Sequence, residues 1–210
     1  IVADTVIIAT GGLSYPLTGS TGYGYELAKR LGHTVTRCFP SLTALVPHNY
    51  DIRLIGIGLE NVGLYLTIDG YVAQIENGDV DFTEGGIEGS LGFRVSRTAV
   101  NAMVNGSKVE VVIDLKPALS LEKLQKRVDR DLEAMNWSHA ESTEHRLKIF
   151  LRDYLPSQII APFIFAHKGV TLKTLPQALK EWRFPLLSYV GYQRAVVTAG
   201  GVSPDEIVSK

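Results

Sequence analysis

A chain of 210 residues with 45% hydrophobic and 20% charged residues can build one large domain or two small ones, with the composition of a soluble globular protein. Its 21 basic and 22 acidic residues leave a formal net charge of −1, which excludes a global field for nucleic acid or an anionic membrane. One cysteine, Cys38, excludes an internal disulfide framework and a cysteine zinc cluster, and no apolar stretch approaches the roughly 20 residues of a membrane span, so a reducing cytoplasm is the expected compartment.

The opening "IVADTVIIATGG" lacks the basic region and cleavage site of a signal peptide. Val6 to Ala9 is an apolar, β-branched run of the kind buried on both faces of a parallel sheet, and Gly11 and Gly12 break it. The loop "LSYPLTGSTGYG" leads into "YGYELAKRLGH", which predicts a helix capped by Ser20 or Thr21 and ended by Gly32. "TVTRCF" predicts one more strand, stopped by Pro40.

From Ser41 the texture changes. "GLYLTIDG", "YVAQIENG" and "DVDFT" alternate between polar and apolar residues, with Asp69-Gly70 and Asn77-Gly78 as two hairpin turns of a small antiparallel barrel. "EGSLGFRVSRTAVNAMVNG" predicts a helix with Leu91, Val95, Val100 and Met103 on its apolar side, and "KVEVVIDL" returns to the sheet. After Lys116-Pro117 the spacing turns helical: Ser120 caps a helix burying Leu121, Leu124, Val128, Leu132 and Met135, and its Lys123, Lys126, Arg127 and Arg130 alternate with acids on a solvated face. "EHRLKIFLRDYLP", "PSQIIAPFIFAHKG" and "LPQALKEW" continue the bundle, and "FPLLSYVGYQRAVVTAGG" resumes extended structure. The predicted class is α+β: an antiparallel barrel (41–115 and 183–195) and a helical bundle (116–182), inserted between flanks 1–40 and 196–210 of one Rossmann-like domain. On that scheme the two glycine phrases, "VIIATGG" and "AVVTAGG", are the exit from one sheet and the return to it.

Together, "VIIATGGLSYPLTGSTGYGYELAKRLGH", "FTEGGIEGSLG" and "AVVTAGGVSPDEI" resemble a family of bacterial flavoproteins, the aminoacetone-oxidase-like or NAD(FAD)-utilising dehydrogenases, over the whole chain and in order. The resemblance implies an FAD-binding domain interrupted by a barrel and a helical bundle that face the flavin and help form the substrate site. It further implies a glycine-rich fingerprint before the equivalent of Ile1 and a flavin-contacting motif after that of Lys210. The chain is therefore expected to be the middle of a larger FAD-dependent oxidoreductase, with the remainder of the FAD domain as its partner. Such a piece is expected to be inactive alone and poor at holding FAD; NAD(P)H is a candidate electron donor. The chain departs from the family at Tyr23, often Asp, and at Glu88-Gly89-Ser90, often Ser-Gly-Pro, so no particular substrate carries over.

Through the resemblance, Thr10, Gly11, Gly12, Gly200 and Gly201 are expected beside the flavin, where missing side chains admit a close backbone approach; a plain tight turn is the alternative. Ser20, Thr21 and Gly22 precede a helix and suit a phosphate or carboxylate, or simply cap the helix. Tyr189, Tyr192 and Arg194 lie at a predicted domain junction and, with His48, are candidates to line a small-molecule substrate cleft, or else barrel-edge packing and a loop histidine.

Other patterns fail on spacing. "GIGLENVG" has Asn61 where a dinucleotide fingerprint needs glycine, and Pro16 spoils a nucleophile elbow at Ser14. Asp79, Asp81 and Glu84 lack the rest of a calcium loop. His139 and His145 point to different helix faces, so no metal site is expected, and His33 is expected on the last carbonyls of its helix. Two other readings remain: a self-sufficient module binding a small ligand or a partner protein, and oligomerisation through "IIAPFIFAHKG".

Overall fold

The computed structural model describes residues 3–48, 50–135 and 142–207, with position 143 described by its backbone alone. Alternation over Ile57 to Thr83, interrupted by register shifts at Leu59/Val62 and Leu66/Thr67, builds a long hairpin, β3 (Ile57–Ile68) and β4 (Tyr71–Thr83), on which the barrel assembles. Its turn, Asp69-Gly70, has φ of 51° and 87°, the left-handed pair that an Asp-Gly hairpin turn requires. β5 (Gly86–Glu88), β6 (Val109–Asp114), β7 (Trp182–Tyr189) and β2 (Leu45–Pro47) complete a closed antiparallel barrel in the order β2-β5-β4-β3-β6-β7. Closure leaves the barrel no free edge. Gly86 sits where it closes: a Cβ there would lie 2.2 Å from the Leu45 carbonyl oxygen.

Alternate barrel residues point inward. Leu64, Leu66, Val80, Phe82, Val111, Ile113, Trp182 and Phe184 are buried, and α2 (Gly89–Val104) adds Leu91, Val95, Ala99 and Val100. Four further helices follow: α3 (Leu121–Glu133), α4 (Thr143–Leu151), α5 (Ser157–Ala166) and α6 (Leu175–Lys180). The Ser120 hydroxyl accepts from the Lys123 N–H and starts α3; Ser142 does the same for α4. Leu124, Val128, Phe150, Ile159, Phe163 and Leu179 from these helices join the barrel residues in one continuous apolar core. On the outer face of α3, Lys126 pairs with Glu122, while Arg127 and Arg130 pair with Asp131.

A buried ion pair fastens the helices to the barrel. Asp114, at the end of β6, is 1% exposed; its Oδ2 lies 2.5 Å from Lys180 Nζ at the end of α6, and its Oδ1 accepts the Lys116 N–H at 2.8 Å. Lys180 also donates to the carbonyls of Lys116 and Leu119, at 3.0 and 2.7 Å. Every hydrogen of the ammonium therefore has an acceptor, which a charge so deep requires.

The chain's two flanks meet in a separate two-stranded sheet, β1 (Val35–Ser41) against β8 (Val197–Val202), with α1 (Tyr23–Arg30) beside it. Several local expectations are corrected here. Val6–Ala9 is not a buried strand: it makes no ladder among the described residues, and Val6 and Ile7 are 76% and 86% exposed. A strand buried on both faces needs neighbours, and the described residues offer it none. Pro40 does not end β1; it pairs with Thr198 inside it, tolerated because a two-stranded ribbon has an outer edge that needs no N–H donor. Asn77-Gly78 is no turn either: β4 runs through it, and Gly78 instead admits α2, whose Leu91 would lie 3.3 Å from a Cβ at that position. α1 starts at Gly22, with φ of 80° and no side-chain cap from Ser20 or Thr21. The second glycine doublet lies within β8 rather than beyond it, opposite a register shift between Thr36 and Phe39. Trp182, expected in the bundle, opens β7 and pairs with Ile113.

Asp114→Ala strands the Lys180 ammonium and is expected to cost about 2–3 kcal/mol, since Lys180 keeps some access to water. Urea unfolding should show a lower midpoint at constant slope, and Asp114→Leu combined with Lys180→Met should recover most of the loss.

Candidate functional site

The loop from Thr10 to Gly22 folds back on itself and is stitched to β8. Gly22 donates its N–H to the Gly12 carbonyl at 3.0 Å, and the N–H groups of Leu13 and Ser14 both donate to the Thr198 hydroxyl, at 2.8 and 3.1 Å. Tyr15 N–H donates to the Tyr192 carbonyl at 2.9 Å, which ties in the turn after β7. The two glycine phrases, more than 180 residues apart, are thus in contact. A Cβ on Gly12 would meet Thr198 Oγ1 at 2.7 Å and the Tyr25 hydroxyl at 3.1 Å, and one on Gly201 would meet the Tyr25 ring at 3.2 Å.

The other glycines here are equally committed. A Cβ on Gly11 would meet Ser20 Oγ at 2.7 Å, on Gly22 the Leu13 side chain at 2.6 Å, and on Gly200 the Arg37 carbonyl oxygen at 2.3 Å. Their missing side chains are used by protein atoms, in the turns and close approaches that glycine allows. What they leave toward solvent is backbone: Gly11 and Gly200 are exposed, as is Thr21. Thr10 packs its hydroxyl against Gly24 of α1.

Tyr25 is the hub of the junction. Its hydroxyl lies near the Cys38 thiol, which donates to the Thr36 carbonyl at 3.6 Å, and burial pushes both groups above their ordinary pKa, although Lys29 and Tyr25 pull the thiol back. Tyr192 is pushed up to about 12 by burial, then by Cys38, Tyr189 and Tyr25 nearby. The group is thus a neutral cluster of phenols and a protonated thiol, with no reactive thiolate. Sequence reading missed Tyr25, Cys38 and Thr198, because nothing local announces contacts this distant. Among the described residues no three metal-ligating side chains gather, and no helix is long and apolar enough to cross a membrane.

The four cleft candidates do not share one pocket. Tyr189 pairs with Leu45 in the barrel, Tyr192 faces the Tyr25–Cys38 cluster, and the Arg194 guanidinium sits 3.4 Å from Glu88. His48 lies elsewhere, on a cavity of about 470 Å³ between the barrel and α5. The acids of "GDVDFTEGG" hold neighbouring chain: Asp79 accepts the Asn61 N–H and Asp81 packs on Gly89. "GIGLENVG" runs into β3 and on along it, as its alternation requires. The His33 ring meets not its helix carbonyls but Glu206, at 3.0 Å. His139 lies outside the described residues.

A closed six-stranded barrel with an appended helical unit, its two flanks stitched into one seam, defines the class of protein. Residues 39–197 match the model described as HI0933-like protein barrel and H2TH domain, and the chain belongs to that family. It is 25% identical over 211 residues to the 3-dehydro-bile acid delta(4,6)-reductase of Clostridium scindens, covering 98% of this chain and 51% of that protein. It is 29% identical over 218 residues to the ribosomal RNA dihydrouridine synthase of Haemophilus influenzae, and 26% identical over 224 residues to that of Escherichia coli. Those alignments cover 98% and 99% of this chain, and 49% and 50% of the relatives. The chain spans about half the length of the curated relatives it matches.

Thr198→Val removes the acceptor of two part-buried N–H groups and is expected to cost about 2 kcal/mol. Amide exchange at Leu13 and Ser14 should accelerate, while the barrel amides keep their protection. Hydrogen bonds from the Thr34 side chain and N–H, and then from His33, hold the Glu206 carboxyl below the usual range. The contact is therefore present above the ordinary carboxylate pKa of about 4.3 and is lost as the pH falls through the lowered value. Thr34 amide exchange at acid pH should report that release, and Glu206→Gln should lessen its pH dependence.

Proposed function

We propose that this chain is the substrate-side half of an FAD-dependent oxidoreductase acting on a small molecule in the cytoplasm. The observation that carries the reading is the seam: two glycine-broken phrases from opposite ends of the chain are joined through Thr198 and β1–β8, beside an apolar run, Val6–Ile8, left without a sheet. That arrangement supports a role as one edge of a larger sheet domain in which the barrel and helices are inserted. The names of the relatives share one chemistry, the addition of hydrogen: a reductase in one case, a synthase of a dihydro-nucleoside in the others. A flavin supplies the hydride or electron chemistry when bound.

The residues here fit the flavin as a wall and not as its cradle. Gly11, Thr21 and Gly200 are exposed members of the seam, while Thr10 is turned to Gly24. A pyrophosphate needs a glycine-rich strand–loop–helix, and the one near match, "GIGLENVG", leads along β3 instead. Tyr192 and its neighbours would border the substrate. An RNA substrate, which the names of two relatives suggest, is disfavoured by the charge pattern: a net −1, with the Lys126, Arg127 and Arg130 cations of α3 engaged by Glu122 and Asp131.

The 210-residue chain, purified alone, is expected to show no stoichiometric visible flavin absorbance, to bind added FAD weakly or not at all, and to turn over no substrate. A full complement of bound flavin would move the cofactor site into the barrel and helices. Tight, salt-sensitive binding of a ribosomal RNA transcript would replace the small-molecule substrate with RNA.

A further inference from the structure

A second cavity, of about 340 Å³, opens where β3, the end of β6 and the start of α5 meet, and it shares no residue with the cavity that holds His48. Its apolar wall is Leu59, Val62, Leu115, Leu155 and Ile159, and two ionisable side chains, Glu60 and Lys116, line it beside Tyr154. β3 is bulged at this point. Its register against β4 shifts between Leu59 and Val62, and Asn61 takes a φ of 54°, a conformation few residues other than glycine adopt. Bulges of this kind re-aim the side chains that flank them.

The backbone of Lys116 is clamped on both sides by the buried ion pair: its N–H donates to Asp114 Oδ1 at 2.8 Å, and its carbonyl accepts from Lys180 Nζ at 3.0 Å. Its side chain is half-buried, yet the ammonium has no ion-pair or hydrogen-bond partner among the described residues, and neither has the Glu60 carboxylate. The polar groups around them are engaged elsewhere. Asp79 accepts the Asn61 N–H, and Asp81 packs on Gly58 and Gly89. The Tyr154 hydroxyl donates to Asp131 at 2.6 Å, and Arg127 pairs with Asp131 at 3.6 Å while lying over the Tyr154 ring. Burial, and then the Arg127 guanidinium nearby, hold the Lys116 ammonium below the ordinary lysine range. A lysine that is desolvated and set near another cation carries more free amine at neutral pH, the form that attacks a carbonyl.

We propose that Lys116 is a reactive amine that condenses with a small apolar aldehyde held in this cavity, with Glu60 as its proton carrier. The amine nitrogen adds to the carbonyl carbon, and the carbonyl oxygen leaves as water with the two amine hydrogens. One C=N bond thereby replaces one C=O bond, and no oxidant or reductant is consumed. The Glu60 carboxylate takes a proton from the nitrogen and returns it to the departing hydroxyl. The hydrocarbon part of the aldehyde packs on the apolar wall. One amine and one carboxylate leave the lining without net charge, which suits a neutral carbonyl compound.

Benzaldehyde with cyanoborohydride, which reduces a Schiff base to a stable benzylamine, tests this on the chain at neutral pH, with peptide mass spectrometry to locate the labelled lysines. Lys116 should label roughly tenfold faster than the exposed Lys108 and Lys126, the joint effect of more free amine and a held aldehyde, and its rate should saturate with benzaldehyde. Labelling rises with pH as each amine loses its proton, so the rise at Lys116 should fall at lower pH than at Lys126, and Arg127→Gln should move it upward. Glu60→Gln should slow Lys116 severalfold and leave Lys126 unchanged. Both replaced side chains are exposed, and urea midpoints matching the parent chain show that the variants are folded. In concentrated urea the preference for Lys116 should vanish. Equal labelling of all lysines, a preference that survives unfolding, a rate that never saturates, or indifference to Glu60→Gln would each overturn the proposal. No flavin takes part, so failure here leaves the oxidoreductase reading standing.

Discussion

The ladder between Val35–Ser41 and Val197–Val202 is the constraint on which the rest of the molecule depends. It brings together residues separated by most of the chain and holds both ends of the intervening barrel at one place. Loop-closure entropy opposes such a contact, and five backbone pairings plus the Thr198 hydroxyl offset it. Glycine at 12, 200 and 201 is a requirement of that closeness, because the opposing atoms leave no room for a Cβ.

Inside the seam, the barrel and the helices do not behave as two bodies. One apolar cluster runs from Leu64 and Phe82 through Trp182 to Phe163 and Phe150, and the Asp114–Lys180 pair is buried at the joint. Aromatic rings carry the contact: Trp182 meets Phe163 edge-on at 5.6 Å and Phe184 at 5.1 Å. The helical unit therefore has a fixed attitude to the barrel, and the cavity beside α5 is a product of that attitude. The cavity and the seam lie at different ends of β2 and β7, the seam reached from Tyr189 and the cavity from His48 and Phe184.

Much of the candidate site was legible as a list and little of it as an arrangement. The glycine phrases were visible as a pair, and their contact followed from the order of the elements. Their chemical meaning did not follow, since a glycine required by Thr198 or by the Arg37 carbonyl looks, in sequence, the same as one required by a cofactor. His48, Tyr189, Tyr192 and Arg194 were grouped by residue type, and the fold separates them because β2 and β7 carry His48 away from the turn that holds Tyr192. Tyr25 was hidden in an ordinary helix pattern, and Trp182 read as the end of one.

By itself the sequence determined the Asp69-Gly70 hairpin, the cap at Ser120 and the α+β class, because each of these is decided by residues within a few positions of one another. Tertiary structure alone decided that Asn77-Gly78 stays in a strand, that Pro40 sits inside β1 and that Val6–Ala9 lies bare. Propensity at those sites is worth less than a helix packed on Gly78 or a sheet edge open at Pro40, and a strand exists only where a neighbour supplies its hydrogen bonds.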